Sequence, residues 1–300
     1  MAVTKDPKDN QTTGMISIAL NTWEEFEDQF KKDFEDVEKL KKGKSTSHIS
    51  ELLFRGHCNA EWPLSTTLER ELIKYFGKKT WGEVNTTWKD LKEISWEKYH
   101  GILQRIAPAI SSLTKFEIDV GHEIPKEFDW NDPPPEYEFI VHLRHFGFPA
   151  PLLDWTVSPY VAAFFAFNKA DENDVAIYSF REYKGKGKVR ATKSPHINVL
   201  DQYFKTHKRH FKQQSRYTFC YRSDDIDIEK LKDKDRFYCS HESIQFQKEQ
   251  DVLKKYTIPA SERKKVMAKL DLMNINSFTL FGSDESLMAT LAYREIERKE

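Results

Sequence analysis

Pro151–Phe167 reads PLLDWTVSPYVAAFFAF, an apolar run with an Asp and a Trp at its mouth. Its reading decides how the chain around it is built. Ser158 followed by Pro159 has the form of an N-cap and a first helical residue, so a helix is expected to carry Ala162, Phe164 and Phe165. Asp154 lies too early to be that cap. A carboxylate is seldom buried unpaired, so Asp154 is expected to accept hydrogen bonds from nearby backbone N–H groups or from an Arg, locking the turn. Trp155 would pack beneath it, making the pair scaffold for a site.

Working outward, YEFIVHLRHFG upstream reads as a helix stopped by Gly147 and Pro149. DVAIYSF downstream is the clearest short strand. NVLDQYFKTHKRHFKQQ looks helical at its start, and RYTFCYR and VLKKYTIP read as strands. ASERKKVMAKLDLMNIN and FGSDESLMATLAYREIERK read as the last helices. On the N-terminal side, MISIAL is a short strand, and Asn21 or Thr22 caps a helix with Trp23, Phe26 and Phe30 on one face. ELLFRG is a strand ending at Gly56, and Leu68–Thr114 follows a helical pattern. Strands interrupted by long helical segments, without regular βαβ alternation, predict an α+β fold.

The chain has 300 residues, 32% of them charged, with a net charge of -1 and a mean hydropathy of -0.70. That near-neutral balance gives no global field for nucleic acid or membrane, so a polyanionic partner must be met by a local patch. The 21 Phe and the other aromatics rule out wholesale disorder. Three cysteines (Cys58, Cys220, Cys239) show no CxxC spacing and imply a reducing compartment. Cys220, Cys239 and His241 have no second ligand pair at structural-zinc spacing, so no metal is expected. Residues 1–14 lack an apolar core and read as a disordered tail, and no run approaches a membrane span. A cytoplasmic location is expected. The chain has no GxxxxGK[ST], GxSxG, HExxH or GxGxxG motif.

Three stretches carry candidate chemistry. In LLFRGHCNAEWPLSTTLER, Arg55 at a strand end beside Gly56 presents a guanidinium fork suited to phosphate or carboxylate, or to a buried acid of the fold. In HLRHFGFPAPLLDWTVSPYVAAFFAF, Thr156 and Ser158 are hydroxyl donors, and His145 is an orienting or acid/base group or a structural His. In KTHKRHFKQQSRYTFCYR, Lys208, Arg209, Lys212 and Arg216 with interleaved aromatics form either a nucleic-acid surface or a solvated face. KGKGKVRATK adds to the local basicity.

FRG with WPLSTTLER, then HFGFPAPLLDWTVSPYVAAFFAF, then FKQQSRYTF, then SFTLFGSDESLMATLA resemble, in order, four blocks of the FRG domain family. Arg144 stands where that family commonly has Gln. The resemblance implies a single domain over 15–300 with a helical insertion at about 68–135. The family is itself similar to ADP-ribosyltransferases, which implies a split antiparallel or mixed β-sheet core and NAD as substrate. On that likeness Arg55, Gly56, His145, Asp154, Trp155, Tyr160 and Phe164 would bind the cofactor. Arg55, Thr156, Ser158, Gln214 and Glu242 would serve catalysis, with Gln213 or Glu249 as alternatives near the third motif. The implied activity is a toxin or phage-defence effector moving ADP-ribose to nucleic acid, RNA before protein, with an antitoxin as a partner. A nucleotide or RNA sensor without turnover is the alternative. A hydrolase using Asp154 and His145 needs a metal cluster or second carboxylate that the spacing does not supply.

Overall fold

The computed structural model describes residues 15–42, 49–76, 94–118, 120–121, 133–183, 195–200, 208–223, 236–243 and 251–298. Residues 1–14, Lys184–Lys193 and Glu249 lie outside them. The N-terminal half contains β1 (Ile16–Ala19), α1 (Trp23–Lys42), β2 (Leu53–His57), α2 (Thr67–Phe76), β3 (Ile94–Ser95), α3 (Trp96–Leu113) and α4 (Tyr137–His145). Then come β4 (Leu152–Thr156), α5 (Pro159–Phe167), β5 (Val175–Arg181), β6 (His196–Leu200), α6 (Lys208–Lys212) and β7 (Ser215–Ser223). The chain continues through β8 (Arg236–Tyr238), β9 (Val252–Ile258), α7 (Arg263–Leu272), α8 (Ser277–Phe281) and α9 (Asp284–Ala292).

The strands form one nine-stranded sheet in the order β1-β9-β5-β2-β4-β7-β8-β3, with β6 also paired to β7. β1 and β9 run parallel and the other pairs are antiparallel, so the fold is α+β with a mixed sheet. The sheet is nearly cut in its middle. β2 and β4 share a single register pair, Phe54 with Thr156, whereas β2 and β5 share five from Leu53 to His57. Among the described residues no helix is long and apolar enough to cross a membrane.

Side chains alternate across a strand, and the sheet's two faces carry different cores. On one face Trp23, Phe26 and Phe30 of α1 pack with Phe54, Ile177, Tyr256 and the buried side of α5. Beside them on the β4–β7 half, Tyr99 and Phe139 pack against Leu152 and Phe219. On the other face Leu53, Trp155, Tyr178 and Phe180 are covered in part by Ala60 and Leu64. The stripe of α1 continues into a buried carboxylate. Asp33 accepts from the Tyr256 hydroxyl (2.6 Å) and Ser179 Oγ (3.3 Å), and pairs with the Lys254 ammonium, tying helix to sheet.

Gly56 decides how α5 meets β2. A Cβ there would lie 2.0 Å from the Ala162 carbonyl oxygen and 2.6 Å from Ala166 N. Only glycine lets helix backbone and strand backbone approach this closely.

Two local expectations are corrected. The segment beginning at Asn198 opens in a strand: all five residues of β6 are buried against β7. A short apolar run is ambiguous between helix and strand, and sheet pairing decided it. The helical pattern over Leu68–Thr114 is likewise interrupted. Its described parts are α2, then β3 paired to β8, then α3, whose cap is Ser95 with its side chain accepting from Lys98 N.

Candidate functional site

Where β2 and β4 part, a cavity of about 820 Å³ opens. Its walls come from β2 (Phe54 to Cys58), the following turn with Trp62 and Ser65, and α2 (Arg70, Lys74). α4 supplies Arg144 and His145, β4 supplies Asp154, Trp155 and Thr156, and Ala162 and Phe165 come from α5. Arg209 and Gln213, with Phe281 from α8, close the far wall.

Each charged group is placed by local structure the sequence encodes. α2 starts with a reciprocal cap: Glu69 N donates to Thr66 Oγ1 (3.1 Å) and Thr66 N donates to Glu69 Oε2 (2.7 Å). That cap sets Arg70 on the first turn, where Nη1 donates to Ser65 O at 2.7 Å. Arg144 stands in the last turn of α4, which Gly147 ends with φ at 87°. Arg55 lies on β2 and reaches across the split, its Nη1 donating to the Asp154 carbonyl oxygen at 2.6 Å. Its Nε donates to His57 Nε2 at 3.1 Å.

Burial, then the neighbouring Arg144 and Arg70 charges, lower the Arg55 pKa to about 10, against the favourable pull of Asp154. Arg55 therefore stays cationic at neutral pH. His57 is pushed down to about 3, mainly by burial and then by the Arg55 charge, and so accepts from Arg55 as a neutral ring.

Asp154 corrects the turn reading. It sits inside a regular strand paired to Tyr217, and its carboxylate goes to an Arg, with Arg144 Nη2 at 2.6 Å from Oδ2. Trp155 points to the opposite face, 2% exposed, with Nε1 donating to Thr218 Oγ1 at 2.8 Å. Thr218 Oγ1 is in turn 2.9 Å from His241 Nε2. His145 lines the cavity with Nε2 2.9 Å from the Tyr217 hydroxyl, which burial keeps protonated.

Arg55, Gly56, His145, Asp154, Trp155 and Thr156 are thus brought together. Others are not. Ser158 caps α5, its Oγ accepting from Val161 N. Tyr160 faces α1, donating to Glu27 Oε1 at 3.2 Å, and Phe164 is 1% exposed in the core. The helical repeat turns Phe165 toward the cavity instead. Gln214 is exposed in a turn with φ at 49°, and Gln213 lines the wall. Glu242 is spent on structure: Oε1 accepts from Leu64 N at 2.7 Å, and the residue does not line the cavity.

The basic block divides in the same way. Arg216 is buried, with Nε and Nη2 on Glu51 Oε2 (2.8 and 2.6 Å) and Nη1 on Ser215 O. It faces the protein because β7 alternates, and a nucleic acid cannot reach its fork. Arg209 lies against the Phe281 ring at 5.8 Å and lines the cavity. Lys212 is exposed, and Lys208 begins α6.

Arg70, Lys74, Trp62, Phe165 and Phe281 were missed as site residues. Arg70 was legible as part of the TTLER block, and Arg144 as the departure beside His145. Phe281 lies in the SFTLFGSDESLMATLA block, but nothing local aimed it at the site, since α8 arrives from far along the chain.

Comparison with curated proteins and with solved structures returned no match. A family model for the FRG domain matches residues 50–175. That stretch holds β2, α2, α4, β4 and α5, which supply most of the cavity's walls, while the blocks FKQQSRYTF and SFTLFGSDESLMATLA lie beyond it. Over residues 50–175, then, the chain is similar to the FRG domain.

Proposed function

We propose that the cavity at the split of the sheet binds a phosphate-bearing nucleotide of the nicotinamide dinucleotide class. One observation carries this reading. Five cations (Arg55, Arg70, Lys74, Arg144, Arg209) line the cavity against one lining carboxylate, Asp154, itself paired to Arg144, and Lys74 also pairs with Glu71 at 3.7 Å. Such a surplus of fixed positive charge in a partly enclosed space favours a phosphorylated ligand. Trp62, Phe165 and Phe281 offer apolar faces for bases.

The activity to test on that site is transfer of ADP-ribose from NAD to a macromolecule. Nicotinamide would leave C1′ of the ribose with the bonding pair, the acceptor's nucleophile would bond to C1′, and the acceptor proton would pass to solvent. RNA is the first acceptor to try. Arg209, Lys212 and the 71% exposed Phe211 put cations and an aromatic ring on α6 beside the cavity. A toxin or phage-defence role in the cytoplasm, neutralised by an antitoxin, is the biological form of this proposal.

Binding without turnover is the second reading. Glu242 is held by Leu64, and the carboxylate that lines the cavity is paired to Arg144. The oxocarbenium-like transition state of the transfer therefore has no unpaired carboxylate among the described lining residues.

The experiment is incubation with NAD labelled in the adenylate half, with RNA, single-stranded DNA and lysate protein in separate reactions and Arg55→Ala alongside. Label moved by the wild type and not by the variant supports transfer. Calorimetric NAD binding without label transfer supports the sensor. Absence of both removes the reading.

A further inference from the structure

Three guanidiniums, Arg55, Arg70 and Arg144, line the cavity near enough to act on one another, and each is anchored by only part of its fork. Arg55 uses Nη1 and Nε on Asp154 O and His57, leaving Nη2. Arg70 uses Nη1 on Ser65 O, leaving Nε and Nη2. Arg144 uses Nη2 on Asp154 Oδ2, and its Nε is buried with no acceptor among the described residues. Arg216 is the contrast within the same molecule, because Nε, Nη1 and Nη2 all have protein acceptors.

Among the described residues, Asp154 is the one carboxylate that lines the cavity beside these three charges, while Glu69 and Glu71 act on Arg70 from outside the lining. Arg144 and Arg70 repel Arg55 and each other. Holding like charges together where water is partly excluded is unfavourable, and a dianion relieves it. A phosphate monoester carries close to two negative charges and three terminal acceptor oxygens, which suits several anchored forks at once. Each phosphate of the pyrophosphate bridge of NAD offers one charge and two free oxygens.

We infer that the Arg55–Arg70–Arg144 cluster is a subsite for a phosphate monoester borne on a nucleoside. Within the dinucleotide class this selects the 2′-phosphorylated form over NAD. The same group occurs on free mononucleotides and on the 5′ end of a nucleic-acid strand. The inference rests on the proposed nucleotide cavity and narrows its ligand.

The test compares, by calorimetry on the full chain, AMP with its 5′-phosphate methyl ester, NADP with NAD, and 5′-phosphorylated with 5′-hydroxyl forms of one short RNA. In each pair the first member is expected to bind about tenfold or more tightly. Arg70→Gln should erase that preference. Arg70 is surface-exposed and bonded to one carbonyl, so the variant should fold, and its circular dichroism and thermal melt verify this. Tightest binding by the RNA end assigns the group to a strand, and tightest binding by AMP or NADP assigns it to a small nucleotide. Equal binding within all three pairs, or a preference that survives Arg70→Gln, overturns the monoester subsite while nucleotide binding stands. If none of the six probes binds, the nucleotide reading falls and the inference falls with it.

Discussion

Arg144 Nη2 lies 2.6 Å from Asp154 Oδ2, and this pair joins the end of α4 to the middle of β4 at the rim of the cavity. The Asp154 side chain is 39% exposed, so the pair is screened, and its loss costs about 1 kcal/mol or less in stability. Asp154→Asn should therefore fold with a slightly lowered melting temperature. Removing the one carboxylate should also tighten binding of phosphorylated ligands. Weaker binding by a well-folded Asp154→Asn would mean that the carboxylate's orientation of Arg144 outweighs its charge.

Gly56→Ala should be among the most damaging small substitutions in the chain. The new methyl meets backbone atoms of α5, at 2.0 Å from Ala162 O, rather than a side chain that can swing away. Overpacking of this kind costs about 3 kcal/mol or more, and the cavity wall moves with it. Urea unfolding of the two proteins measures the difference, and an unchanged midpoint would contradict the close approach.

Phe164 and Phe165 should separate stability from binding. Phe164→Ala empties a core position that is 1% exposed and should cost about 3–5 kcal/mol. Phe165 is 36% exposed at the cavity wall, so Phe165→Ala should cost much less and weaken nucleotide binding. The reverse pattern would place the ligand on the α1 side of α5.

Glu242 provides a direct check on transferase chemistry. Its Oε1 accepts from Leu64 N, and an amide oxygen can accept the same bond. Glu242→Gln should keep both stability and any label transfer near wild type, whereas Glu242→Ala should lose about 1 kcal/mol of stability. Abolished transfer in a stable Glu242→Gln would reinstate it as a catalytic carboxylate.

Stability should fall in mild acid. Burial lowers His57 and His241 to about 3 and His210 to about 4. Below the unfolded value of about 6.5 the unfolded chain takes up protons that the folded chain refuses. The neutral histidines' contribution is thus complete above that pH and is lost as pH falls toward 3–4. Urea midpoints should drop between pH 7.5 and 5, and replacing His57 and His241 with Gln should flatten the drop. An equally steep fall in that variant would shift the cause to other groups.

The amino-acid order alone determined the elements whose signals are local. Ser158-Pro159 starts α5, Thr66 and Glu69 start α2, the aromatic stripe from Trp23 to Phe30 makes α1, and Arg55-Gly56 ends an apolar strand. Each rests on neighbours within about one helical turn or one strand, where spacing and chemistry suffice. Tertiary structure decided what those elements face. Sheet pairing turned His196–Leu200 into a strand, and the parting of β2 from β4 created the cavity. Rotation of α5 chose Phe165 over Phe164, and the alternation of β7 sent Arg216 to Glu51. The β6–β7 pairing joins residues 17 to 25 positions apart, and the other outcomes depend on contacts about a hundred or more positions apart, which loop closure and packing settle only when the chain folds. The candidate site was therefore readable as a set of blocks, but its charge surplus appeared only when Arg55, Arg70, Arg144 and Arg209 were placed around one space.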